Sequence, residues 1–205
     1  MGKPGTGLVS ARVGVTTVMD SPGAPQRPYA WVIGSDRHLW LNWWDGSAWH
    51  WNDMGTPGTG LLVTAGVGVT TVMDSTGGPQ RPYAWVIGSD RHQWTNWWDG
   101  HAWHWSHMGT PGTGLVDAGV GVTTVMDSPS GPQRPYAWVI GNSGHQFAHR
   151  WDGSAWHWSH LGTPGTGLVD AGVGVTTVMD SPSGPQRPYA WVIGSDRHLW
   201  LNWWG

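Results

Sequence analysis

Four near-copies of one segment fill this chain, and this internal repeat restricts its fold more than any other feature. The copies open at Met1, Met54, Met108 and Leu161, each followed by Gly-x-Pro-Gly-Thr-Gly, at offsets of 53, 54 and 53 residues. A unit of that size cannot bury its own apolar faces, so the copies must stack or pack radially. The repeat therefore predicts one continuous array over 1–205, with units at 1–53, 54–107, 108–160 and 161–205. The fourth unit stops at Trp203-Trp204-Gly205, where the first continues through Asp45-Gly46-Ser47-Ala48-Trp49-His50-Trp51.

Composition all but excludes helices. There is no Glu and a single Lys, Lys3, whereas Gly and Pro number 33 and 15 and recur every few residues. Short runs of Trp, Val, Thr and Tyr between turn residues read as strands. In the first copy these are Gly14–Met19, Pro28–Ile33, His38–Trp44 and Ala48–Trp51, the last two joined at the hairpin signal Asp45-Gly46. Four short strands with tight connections describe one blade of a β-propeller. The predicted fold class is all-β, a β-propeller of four-stranded antiparallel blades, four repeats per chain, completed by oligomerisation.

Comparing copies separates the two faces of the third strand. One face carries His38, Trp40, Asn42 and Trp44, with aromatics at both ends in every complete copy, and is expected to pack on a neighbouring blade. The other runs Leu39-Leu41-Trp43, then Gln93-Thr95-Trp97, then Gln146-Ala148-Arg150, so it is expected to be only partly buried, with parts of it reaching solvent or a cavity. With the first strand innermost, the outermost strand of copy four is missing. The segment Met1 to Ala11 offers no Trp-x-Trp strand to supply it. Two chains meeting head to tail, as a homodimer or other homo-oligomer, would cover both bare blade faces and give eight blades as a closed twofold. A four-bladed monomer is the alternative.

Several function classes fall away on residue content. Net charge is −3 and the Arg are scattered, so no basic stripe for nucleic acid exists. No signal peptide and no membrane span are read in the chain. Every Asp except Asp53 recurs by repeat, with no nucleophile elbow and no unique carboxylate pair, so no catalytic residues are assigned. His50, His104 and His157 lie between two Trp, and His107 and His160 follow three residues on. Without Cys or Glu the ligand count argues against zinc, and no metal or cofactor is expected.

Repeated identical sites suit binding, where several weak contacts act together. An indole offers a flat face for the C–H side of a sugar and an N–H at its rim. The candidate carbohydrate-binding residues are Asp36, Arg37, His38, Trp43 and Trp51, with Asp90, Arg91, His92, Trp97 and Trp105 in copy two. Copy four adds Asp196, Arg197, His198 and Trp203. A second candidate rim holds Arg27, Tyr29 and Trp49, with Arg81, Tyr83 and Trp103, then Arg134, Tyr136 and Trp156, then Arg187 and Tyr189. Copy three replaces Ser35-Asp36-Arg37 with Asn142-Ser143-Gly144, Asn42 with His149 and Trp43 with Arg150, so its site is expected to be weak or silent.

The block Arg27-Pro28-Tyr29-Ala30-Trp31-Val32-Ile33-Gly34-Ser35-Asp36, continued by Trp43-Trp44-Asp45-Gly46-Ser47-Ala48-Trp49-His50-Trp51, resembles the repeat of bacterial propeller lectins of the Photorhabdus fucose-binding type. It is similar more distantly to tectonin-like propellers. The resemblance covers nearly the whole chain and rests on Trp-Trp-Asp-Gly-x-x-Trp-x-Trp. It implies seven-bladed relatives with shallow sites between blades that take L-fucose and O-methylated glycans without metal. This chain departs in having four copies of unusually high mutual identity, as after recent duplication or design. A structural or protein-interaction propeller is the alternative function.

Overall fold

Each repeat folds into one antiparallel sheet whose strands pair in chain order. The structure is a computed structural model that describes residues 7–203 apart from 74, 76, 113, 129, 130, 166, 180 and 183. The segment 1–6, expected to lack a closing strand, lies outside the described residues, as do 204 and 205. The first blade comprises β1 (Val9–Val18), β2 (Arg27–Gly34), β3 (Leu39–Trp44) and β4 (Trp49–Gly55). The second comprises β5 (Val63–Met73), β6 (Gln80–Gly88), β7 (Gln93–Trp98) and β8 (Trp103–Gly109). The third comprises β9 (Val116–Met126), β10 (Gln133–Gly141), β11 (Gln146–Trp151) and β12 (Trp156–Gly162). The fourth has β13 (Val169–Met179), β14 (Gln186–Gly194) and β15 (Leu199–Trp203). No helix forms among the described residues, and the fold is an all-β propeller of four-stranded antiparallel blades.

The first strand of each blade starts five residues before its Gly-Val-Thr-Thr-Val run, because a bulge lets it continue. The register slips at Val9/Ala11/Val13, and the extra residue, Arg12, has φ 54°. Its counterparts are Gly66, Gly119 and Gly172, with φ of 62°, 60° and 67°. The left-handed region suits glycine and strains an arginine.

The chain divides into two compact units, one holding β1–β8 and the other β9–β15. In the first, β1 lies against β5. A Cβ at Gly14 would sit 2.8 Å from Val67 O and from a Val69 methyl, so glycine is what allows the strands to approach. The core between these blades joins Trp31, Ile33, Leu39 and Leu41 to Val63, Val67, Ala84 and Val86. Cross-blade hydrogen bonds reinforce it: Met19 N donates to Gln80 Oε1 (2.9 Å), Val63 N to Arg37 O (2.9 Å) and Trp105 Nε1 to Met54 O (2.8 Å). The second unit repeats the arrangement, with Gly121 under Val173 and Val175, and Met126 N donating to Gln186 Oε1 at 2.9 Å.

Burial of the third strand differs from the sequence expectation. The variable face is the better buried one: Leu39 and Leu41 are 0% and 2% exposed, and Gln146 and Ala148 are also buried, whereas Trp40 and Trp44 are half-buried. Trp44 packs within its blade, against Trp49 at 5.6 Å, while Trp94 and Trp200, the counterparts of Trp40, pack on the core clusters that join neighbouring blades. The far half of the variable face, Leu41 and Trp43 in blade one and Ala148 and Arg150 in blade three, borders a cleft. In blade four the same face is bare, with Leu199 69% and Leu201 43% exposed.

Candidate carbohydrate site

The rim carrying Asp36, Arg37 and His38 is a tight turn whose polar groups are mostly engaged locally. Asp36 accepts hydrogen bonds from His38 N (3.0 Å) and from Trp40 Nε1 (3.2 Å). Asp90 with Trp94 and Asp196 with Trp200 repeat the pair. Where copy three carries Phe147 in place of Trp40, its turn carries Ser143 in place of Asp36, so the carboxylate goes when its indole N–H goes. Hydrogen bonds from His198 N and Trp200 to the Asp196 carboxyl hold it below its ordinary range. Arg37, Arg91 and Arg197 adopt φ of 64°, 60° and 63°, and Gly144 takes the equivalent place at 72°. That position is fixed by backbone conformation, and copy three keeps the turn without an arginine side chain.

Strand register separates residues that the sequence grouped together. Trp43 pairs with Tyr29 and His50, at the opposite end of β3 from Asp36. Trp51 pairs with Asn42 in mid-strand. Trp43 and Trp97 therefore stand with the Arg27 rim, and Asp36, Arg37 and His38 stand without a tryptophan platform of the Trp43 kind.

The Arg27 rim borders a cleft of about 620 Å³ between blades one and two. Its walls include Arg27, Tyr29, Trp43, Arg81 and Trp103, all candidates from the sequence, together with Leu41 at the base. Tyr29 stacks obliquely between Trp31 and Trp43 at 5.8 and 5.7 Å, and Trp103 meets Trp31 edge-on at 6.1 Å. Trp43 Nε1 donates to Asn52 Oδ1 at 2.7 Å, which fixes the indole plane. Trp97 does the same with Ser106 Oγ at 3.0 Å, and Tyr83 stacks on Trp97 at 5.7 Å and 12°. Arg27 is oriented by Asp20 at 2.9 Å, and Arg134 by Asp127 at 2.8 Å. Burial raises the Tyr29 hydroxyl above its ordinary pKa and the Asp20 carboxylate adds to this, so the phenol stays a neutral donor.

Residues that sequence reading passed over also line this cleft: Asp20, Asn52, Gln80, Trp98, Asp99 and His101. Asp20 was visible only as part of a breaker cluster, and Gln80 and His101 come from the next blade, which strand-by-strand reading does not bring near Trp43. The β3–β4 hairpin is braced by its own side chains. Asp45 accepts from Ala48 N (2.7 Å), Ser47 N (2.6 Å) and His50 Nε2 (2.6 Å), and these bonds hold its carboxyl well below the usual range. Asp99 and Asp152 are held likewise. His50, His104 and His157 are thus hairpin braces.

In the second unit the equivalent cleft measures about 220 Å³ and is lined by Tyr136, Trp138, Ala148, Arg150, Ser159 and Asn202 among others. Arg150 stands where Trp43 stands in the first unit, so the stacking platform is absent. Trp49 and Trp203 are exposed, while Trp156 is half-buried against Trp151 at 5.6 Å. Arg187 and Tyr189 lie at the matching rim of blade four, where Tyr189 stacks on Trp203 at 6.3 Å.

No protein-family model and no curated protein matches the chain. Solved structures do. A fucose lectin from Kordia zhangzhouensis in complex with methyl-fucoside is 17% identical over 72% of this chain and 97% of its own, with a TM-score of 0.57. A variant of the Aleuria aurantia lectin in complex with α-methyl-L-fucoside is 15% identical with a TM-score of 0.66, and a lectin from Burkholderia pseudomallei is 19% identical with a TM-score of 0.67. The chain spans 57% and 54% of the length of these two, with 94% and 95% of its own length matched. The Aleuria aurantia lectin is a six-bladed β-propeller. At these identities the likeness is one of fold: the chain shares the β-propeller architecture of these lectins.

Proposed function

We propose that this chain is a multivalent carbohydrate-binding lectin of the fucose-binding propeller type, taking fucose or O-methylated sugars in clefts between blades. The observation that carries this reading is the meeting of Tyr29, Trp43 and Trp103 with Arg27 and Arg81 around one cleft. A pyranose needs a flat apolar wall for its C–H face and fixed donors for its oxygens, and these side chains supply both. Similarity to propellers solved with methyl-fucoside supports the sugar class. Trp43 and Trp97 act as platforms, and Arg27, Arg81, Arg134 and Arg187 as donors from successive blades. Asp36, Arg37 and His38, with their equivalents in copies two and four, form the second candidate rim. The copy-three site, lacking Trp43's counterpart, is weak. A glycan array tests the reading: binding concentrated on fucosylated and O-methylated glycans is expected, and a clean negative over both would favour a structural or protein-interaction propeller.

Assembly belongs to the same proposal. Val13 and Val15 are 63% and 68% exposed, yet their counterparts Val67 and Val69 pack over Gly14 in the blade one–two interface. Among the described residues, Gly174 of blade four has nothing within 4 Å of where its Cβ would stand, unlike Gly14 and Gly121. One bare face is a knob and the other is the matching hole, which suits a second copy docking head to tail. Trp51 Nε1, shut off from solvent, finds no hydrogen-bond partner among the described residues, whereas Trp105 Nε1 donates to a carbonyl on the preceding blade. No helix among the described residues is long and apolar enough to cross a membrane.

A further inference from the structure

The turn rim of blade two holds a feature that stacking of a sugar in the Trp43 cleft does not use. His92 Nδ1 and His107 Nε2 face each other at 2.6 Å, and Asp90 Oδ2 lies 3.6 Å from the same His92 nitrogen. The ligand atoms of these three residues all fall within 4.8 Å of one another. A neutral imidazole has one donor and one acceptor nitrogen, so two facing nitrogens hold one proton between them. A divalent cation can take that proton's place and bind the carboxylate as well.

We propose that Asp90, His92 and His107 form a binding site for a divalent transition-metal ion of the Zn²⁺ class. Two imidazoles and one carboxylate form a ligand set that leaves further positions to water, and imidazole suits Zn²⁺, Cu²⁺ and Ni²⁺. Nitrogens each about 2.0–2.1 Å from a tetrahedral ion stand roughly 3.3 Å apart, so the pair opens by a fraction of an ångström through rotation of the exposed His107. The remaining geometry is already set. Asp90 is held by His92 N (3.1 Å) and Trp94 Nε1 (3.2 Å), and the His107 ring rests on Trp94 at 4.6 Å. These contacts orient the ligands as outer partners do in metal sites.

The repeat supplies its own controls. Copy one has a single imidazole, His38, beside the carboxylates of Asp36 and Asp53, with Nδ1 3.0 Å from Asp53 Oδ2. Copy three keeps the facing pair, His145 Nδ1 and His160 Nε2 at 2.6 Å, but has Ser143 where Asp90 stands. Copy four has Asp196 and His198 alone among the described residues. Among the described residues, blade two is where two imidazoles and a carboxylate converge, so it binds tightest and copy three follows. The site lies at the opposite end of β7 from Trp98, which lines the blade one–two cleft, so an ion bound there leaves that cleft free.

Calorimetric titration of ZnCl₂ into the untagged, EDTA-stripped chain tests this. One Zn²⁺ per chain is expected as the tightest event, abolished by His107→Ala and weakened about ten-fold or more by Asp90→Asn. His160→Ala leaves that event unchanged. Circular dichroism of each variant without metal establishes that it is folded, and His92→Asn replaces His107→Ala if the latter is not. Equal Zn²⁺ affinity in the parent and the His107 or His92 variant, or no binding up to about 1 mM, overturns the proposal.

Discussion

At the scale of single residues, copy three differs most at His149. It is 2% exposed and stacks on Trp158 at 4.1 Å and 2°, in the place where Asn42 and Asn96 donate to the backbone carbonyls of His50 and His104. Burial, assisted by nearby His157, pushes its pKa down to about 3. Below pH 6.5 the unfolded chain takes up a proton at this residue that the folded chain refuses. Stability therefore falls as pH drops from about 6.5 towards 3, by up to roughly 1.4 kcal/mol per pH unit from this group. His149→Asn should shrink the difference between melting temperatures at pH 7 and pH 5; an unchanged difference would place the acid sensitivity elsewhere. The depressed Asp45, Asp99 and Asp152 act in the same direction at lower pH, since bonds to their charged forms are lost once the carboxylates are protonated.

Among the elements, the bulge in the first strand explains a difference between copies that sequence alone leaves arbitrary. Three copies place glycine there and the first places Arg12 at φ 54°. Arg12→Gly should raise the melting temperature, by up to about 1 kcal/mol of stability, since release of left-handed strain is partly offset by glycine's greater unfolded entropy. A fall in melting temperature would mean that the exposed Arg12 side chain contributes more than its backbone costs. The strands and hairpins themselves were legible because turn chemistry marks them, Asp45-Gly46 above all. The burial of Leu39 and Leu41 was not, because alternation along a strand identifies two faces without saying which one a neighbouring blade covers. For the same reason Trp43 was grouped with Asp36, although β2–β3 pairing sets it beside Tyr29. The cleft residues Gln80 and Arg81 required the next blade to be in place.

At the scale of the whole molecule, repetition underlies both the proposed assembly and the proposed binding. The exposed Val13–Val15 knob and the uncovered Gly174 hole predict association of chains, read as native mass in solution at twice the 22.3 kDa of one chain or a higher multiple. Val15→Arg should return the mass to that of one chain while leaving the blade one–two cleft intact. A monomeric parent would remove the head-to-tail docking and leave the clefts as isolated sites. Those clefts are tested most directly by calorimetric titration with methyl-α-L-fucoside of the parent chain and of Trp43→Ala. Saturable binding is expected with a Kd between about 1 mM and 1 μM, with fewer sites than repeats because the copy-three site is expected to be silent, and fewer still in the Trp43 variant. Heat of dilution alone, or one full site per repeat that Trp43→Ala leaves untouched, would contradict this expectation.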